Sequence, residues 1–228
     1  TVFLSNATSG DPTATESPPA DITERPTERP TERLRGLTPA QAVALRGGND
    51  FGLKLLRRLY AERQDKRANV LVSPVSASMS LGMMLNGAGG ETYNAMGDAL
   101  GLNGLLMVEA NEAYKDLMAL LVPLDPSVEF RVANTSWLEV GFEIRRDYLR
   151  RLQEVFDARI ENVRFGDSNM VGVINAWVEE ATVGRVTELV TAEEFAGLVA
   201  LLVNTVYFKA AWTDPFDPAQ TVTVEFRR

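Results

Sequence analysis

Asn69-Val-Leu-Val-Ser-Pro-Val-Ser-Ala-Ser-Met-Ser-Leu-Gly-Met-Met-Leu-Asn-Gly-Ala-Gly-Gly-Glu-Thr92 decides how the rest of the chain is read. The run Val70–Val72 predicts a short buried strand. Ser73 is a good N-cap, and Pro74 suits the first helical position, where an N–H would have no intrahelical partner anyway. The helix then carries Val75, Met79 and Met83 on one line and Leu81 and Leu85 on another. Ser76, Ala77, Ser78, Ser80 and Gly82 fill the gaps. A helix that is apolar or small nearly all round is a buried one. The glycine cluster Gly87-Ala-Gly-Gly90 ends it.

Upstream, Phe51, Leu55, Leu56 and Leu59 recur at helical spacing among Lys54, Arg57 and Arg58, which predicts one amphipathic helix ending before Asn69. Thr38, in Leu37-Thr-Pro-Ala-Gln41, is its expected cap. Residues 1–36 differ in kind. Thr, Ser, Pro, Glu and Arg dominate, and Glu24-Arg-Pro-Thr-Glu-Arg-Pro-Thr-Glu-Arg33 is a short tandem repeat. Such a segment buries too little apolar surface to offset its ordering entropy, so it reads as a disordered tail or linker. The ordered unit is expected over 37–228.

Downstream, Glu91–Leu100 reads as a short helix with Met96 and Leu100 inward and Gly101 as its cap. A second helix covers Val108–Leu121, with Tyr114, Leu117, Met118 and Leu121 inward. From Val128 to Glu139 the chain alternates, placing Val128, Phe130, Val132, Asn134, Ser136 and Leu138 on one face of a strand. Arg145–Phe156 follows as a helix and Ala158–Phe165 as a strand. Val171, Ile174, Val178 and Ala181 line another helix, which Gly184 ends. Leu198–Lys209 is strongly apolar and β-branched, and is expected to be a central sheet strand. Asn204 in its middle is anomalous, since a buried amide costs free energy unless hydrogen-bonded. Thr221–Phe226 alternates and predicts a last strand. Helices first, then strands and helices mixed, make an α+β fold with a large central sheet.

The whole composition excludes several functions. The net charge of −8 disfavours broad binding to nucleic acid or to an anionic membrane surface. No apolar run reaches the roughly 18–20 residues of a bilayer span. With no Cys and no His, the chain cannot build a disulfide, a Ser-His-Asp triad or a His- or Cys-based zinc site. Ser73 therefore reads as a helix cap and not as a nucleophile. Neither a Ser-x-x-Lys motif nor a pair of opposed catalytic carboxylates stands out, so an enzyme is not expected. Gly87, Gly89 and Gly90 lack the flanking strand and Lys of a phosphate-binding loop. Trp177 and Trp212 read first as packing residues. Arg145, Arg146, Arg150 and Arg151 form a basic cluster that reads as a solvated helix face.

Four blocks in order resemble the serpins, a family of protease inhibitors that act by changing shape. The stretch Asn69–Thr92 is similar to the family's helix B. Ile174-Asn-Ala-Trp-Val-Glu-Glu-Ala-Thr-Val-Gly-Arg-Val-Thr-Glu-Leu-Val190 is similar to helix F and its following turn. Leu202-Val-Asn-Thr-Val-Tyr-Phe-Lys-Ala-Ala-Trp-Thr-Asp-Pro-Phe216 is similar to strand 3 of sheet A. More weakly, Val132-Ala-Asn-Thr-Ser-Trp137 through Phe165 is similar to strand 2, helix E and strand 1.

The resemblance implies a serpin-like fold with helices around a large sheet, ending before the reactive-centre loop. It implies inhibition of a serine protease, or of a cysteine protease, by cleavage of that loop and its insertion into the sheet. The bait bond is expected outside these residues, so the chain should not inhibit alone and would leave an open strand edge at 198–209. Ser73, Ser76 and Asn204 match the family's shutter, which holds the sheet closed, and Lys209 and Trp212 match the breach, where insertion begins. The family's shutter histidine has no counterpart here. No cofactor and no metal are implied. Heparin activation is not expected, because Val108–Leu121 carries only Lys115 among acidic neighbours. An extracellular or cell-surface location is expected. A non-inhibitory carrier, chaperone or storage protein of the same family is the alternative.

Overall fold

The computed structural model describes residues 36–65, 67, 69–195, 197–212 and 217–224. The expected tail lies outside the described residues apart from Gly36, as do Phe226 and residues 213–216. Helix α1 spans Pro39–Glu62 and opens on a capping box. Thr38 Oγ1 accepts from the Gln41 N–H at 3.2 Å, and Gln41 Oε1 accepts from the Thr38 N–H at 2.9 Å. Helix α2, Pro74–Leu85, starts as its sequence predicts, with the Ser73 hydroxyl accepting from the Ser76 N–H at 3.3 Å. Helix α3, Gly90–Leu100, stops at Gly101, whose φ of 66° is the left-handed region that favours glycine. Helix α4 is Met107–Leu121.

Strand β1, Glu129–Glu139, leads to helix α5, Arg146–Phe156, and strand β2, Ala158–Val163. Helix α6, Asn169–Ala181, the single turn α7, Ala192–Phe195, and strand β3, Ala200–Lys209, complete the regular core. A 3₁₀ turn, Pro218–Gln220, follows. The described sheet has the order β2-β1-β3. β1 runs parallel to β2 and antiparallel to β3, with Asn134 directly opposite both Ala158 and Asn204.

Alternation in β1 divides the core in two. Val132 with Ile160 and Leu202 points toward α1–α5, where Met79, Met83, Leu100, Leu152 and Phe156 are buried. Trp137, with Val163 and Val203, points the other way, onto Ile174 and Val178 of α6 and onto Phe195. Buried on both faces, the second half of β1 is the middle of the sheet.

Two sequence expectations fail for one reason. Val70–Val72 forms no strand, and Leu71 is exposed. Residues 221–224 are likewise irregular, with Val222 and Val224 exposed. β3 is an edge of the described sheet, in keeping with the open strand edge expected at 198–209. Alternation and apolarity show that a segment could be a strand; pairing makes it one, and pairing depends on which neighbour is present.

Candidate functional site

Helix α2 packs behind β3, and the two elements meet through polar side chains. The Ser76 hydroxyl donates to Asn204 Oδ1. Asn204 Nδ2 donates to Asn134 Oδ1 at 2.7 Å, across the β1–β3 ladder. Asn134 Nδ2 in turn donates to the Phe156 carbonyl at 2.6 Å, at the C-terminus of α5. This relay ties α2, β3, β1 and α5 together through side chains. Ser73 holds its start in place, because its hydroxyl caps the Ser76 N–H.

The geometry follows from the sequence. Ser76 lies one turn into α2, on the side turned to the sheet. Asn204 and Asn134 are ladder partners, and directly opposite side chains in an antiparallel pair are near enough to interact. Asn134 is 6% exposed, so each of its bonds offsets the desolvation of an amide. Among the described residues nothing in the relay is ionisable, so it holds without regard to pH.

Of the residues singled out by sequence, Ser73, Ser76 and Asn204 come together here. Lys209 and Trp212 do not join them. Lys209 is exposed at the end of β3, opposite Glu129, about 17 Å along the strand from Asn204 and on the other face. Trp212 lies beyond the strand end and is largely exposed.

Sequence reasoning placed Asn134 on one face of β1, with Val132 and Leu138, but not in the site. The signal that exposed Asn204, an amide in the middle of an apolar run, is weaker for Asn134, which sits in an alternating strand. Two further amide arrangements were also missed. Asn86 and Asn111 exchange side-chain hydrogen bonds of 2.9 Å each way, joining the end of α2 to α4. Asn175 on α6 donates to the Val190 carbonyl at 2.9 Å and accepts from the N–H groups of Leu189 and Val190, pinning the segment that leads to β3.

The rest of the surface adds little chemistry. No group of metal-ligating side chains is present among the described residues. None of the described helices is long and apolar enough to cross a membrane. Arg145 of the basic cluster pairs with Asp147 at 3.2 Å, and Arg151 donates to the Asn86 carbonyl at 3.1 Å.

The chain is similar to known proteins of one family. The family described as Serpin (serine protease inhibitor) matches residues 46–228. Human neuroserpin is 30% identical over 192 residues, covering 83% of this chain and 45% of the relative. Corticosteroid-binding globulin of Oryctolagus cuniculus is 31% identical over 195 residues, covering 84% of this chain and 48% of the relative. The crystal structure of the thermophilic serpin tengpin in its latent state superposes with a TM-score of 0.70 at 27% identity, covering 81% of this chain and 48% of that one. The chain thus spans less than half the length of these relatives.

Proposed function

The chain belongs to the serpin family, and from that premise we propose that it is the N-terminal portion of an inhibitor of serine endopeptidases. In this reading a loop borne by the longer protein is cleaved by the protease and inserts as a new strand beside β3. Ser73, Ser76 and Asn204, with Asn134 added, form the shutter that holds the sheet closed until then. The observation that carries the reading is the relay from Ser76 through Asn204 and Asn134 to Phe156. It couples a strand at the edge of the described sheet to a buried helix through bonds that can break and re-form as strands move apart. A purely structural edge needs no such link.

Lys209 and Trp212 are proposed as the breach, where insertion starts. Their exposure at the far end of β3 supports a role distinct from that of the shutter. The partner is a serine protease of the extracellular space, and the protein acts there without itself catalysing a reaction. Heparin is not proposed as a partner through α4, whose outer face mixes Lys115 with Glu112 and Asp116.

The test uses the full-length protein. Incubation with a panel of serine proteases should give a complex that survives denaturing electrophoresis, with the summed mass of protease and cleaved inhibitor. Cleavage of the loop by every protease with no such complex would defeat the inhibitory reading. A second reading, a non-inhibitory carrier, draws support from the corticosteroid-binding globulin match, whose identity equals that of neuroserpin within about a percentage point. Saturable binding of a small apolar ligand together with loop cleavage that never traps a protease would favour it.

A further inference from the structure

A cavity of about 50 Å³ lies between α1, α2 and α4, away from the relay. It is bounded by Leu45 and Gly48 of α1, Val75 and Ser78 of α2, and Tyr114 and Leu117 of α4. No charged side chain lines it. Ser78 is only 5% exposed, and its hydroxyl oxygen is buried without a hydrogen-bond partner among the described residues. That oxygen faces α1, since a Cβ built on Gly48 would stand 3.5 Å from it. Gly48 thus leaves open the space in front of the hydroxyl. Burial also pushes the Tyr114 phenol well above its ordinary pKa, so this wall stays neutral.

These features specify a ligand. By the same measure of volume a water needs roughly 10–15 Å³, so the cavity has room for about three to five heavy atoms. An ion would be partly stripped of its hydration with no counter-charge to meet it, which disfavours charged groups. A pure hydrocarbon would leave the buried Ser78 hydroxyl unsatisfied, a desolvation cost that an oxygen-bearing ligand avoids. We propose that the α1–α2–α4 cavity binds an uncharged, mainly aliphatic molecule carrying one hydrogen-bonding oxygen, with that oxygen on Ser78 Oγ and the aliphatic part against Leu45, Val75 and Leu117. The site is separate from the sheet and independent of the inhibitory reading.

Met79 and Met118 also border the cavity and report on it. In the full chain labelled with ¹³C-methyl methionine, 1-butanol should shift the Met79 and Met118 methyl signals saturably. The signals of Met84 and Met170, which lie elsewhere, should not move in this way. Propionate, with the same five heavy atoms but charged, should give no saturable shift. Ser78→Ala should weaken 1-butanol about fivefold, as expected for one lost hydrogen bond of about 1 kcal/mol. Gly48→Ala, whose added methyl makes ordinary contact with Ser78, should fold normally and abolish the saturable shift. No saturable shift in the unaltered chain, equal binding of propionate, full affinity in Ser78→Ala, or unchanged binding in Gly48→Ala would each overturn the proposal.

Discussion

Asn204→Ala would strip two partners at once, the acceptor of the Ser76 hydroxyl and the donor to Asn134 Oδ1. Leaving such buried groups unpaired costs about 1–3 kcal/mol, and the loss should appear as a lower urea midpoint. Because the bonds form one chain, Ser76→Ala and Asn134→Ala should not add. Their double mutant should lose measurably less than the sum of the singles, and strict additivity would show that the relay is not a unit. A second residue-scale prediction concerns Asp125. Its carboxylate accepts from the Ser127 hydroxyl at 2.6 Å and the Ser127 N–H at 2.9 Å, and these bonds hold its pKa below the ordinary value, the hydroxyl first. The unfolded chain then binds the proton more readily, so this contribution to stability is present above the unfolded pKa of about 3.9 and is lost as pH falls through the folded value. An NMR titration should find Asp125 depressed and find it returned toward normal in Ser127→Ala. At this scale the sequence revealed single anomalies but not their partners. Asn204 stood out in an apolar run, whereas Asn134 sat in an alternating strand where a polar residue attracts no notice. Their partnership spans 70 residues, which no local pattern records.

Helices were legible because their signals are local. Thr38 and Ser73 cap α1 and α2, Gly101 ends α3, and the apolar periodicity of α4–α6 matches the buried residues found. Strands were less so, since Val70–Val72 and residues 221–224 carry strand-like sequence and find no partner among the described residues. Close helix approach was also hidden. A Cβ on Gly47 would sit 2.4 Å from the Leu100 carbonyl oxygen and 2.8 Å from that of Gly101, so α1 and α3 touch backbone to backbone. Gly47→Ala should therefore force the helices apart and cost about 1–3 kcal/mol in urea denaturation. Gly97→Ala, on α3 with nothing within 4 Å of the added carbon, should instead stabilise by about 0.5–1 kcal/mol through helix propensity. Equal effects at the two positions would refute the close-packing argument.

For the molecule as a whole, composition removed histidine and cysteine chemistry, while the order of four sequence blocks pointed to the family that the comparisons bear out. Local physics alone does not yield that arrangement, because which strands pair and which helix lies behind them depends on long-range contacts. The sheet gains its meaning at this scale. β1 is bound on both sides, whereas β3 shows one paired side and one open side among the described residues, with the relay behind it. If a strand enters there, β3 must be the strand whose neighbour changes. Hydrogen–deuterium exchange of the full-length protein, followed over residues 200–209 before and after the loop is cleaved, tests this most directly. Insertion beside β3 predicts that the slowest amides of this segment become markedly more protected on cleavage, and that β2, on the far side of β1, changes little. Unchanged exchange in β3 after complete cleavage would contradict the account.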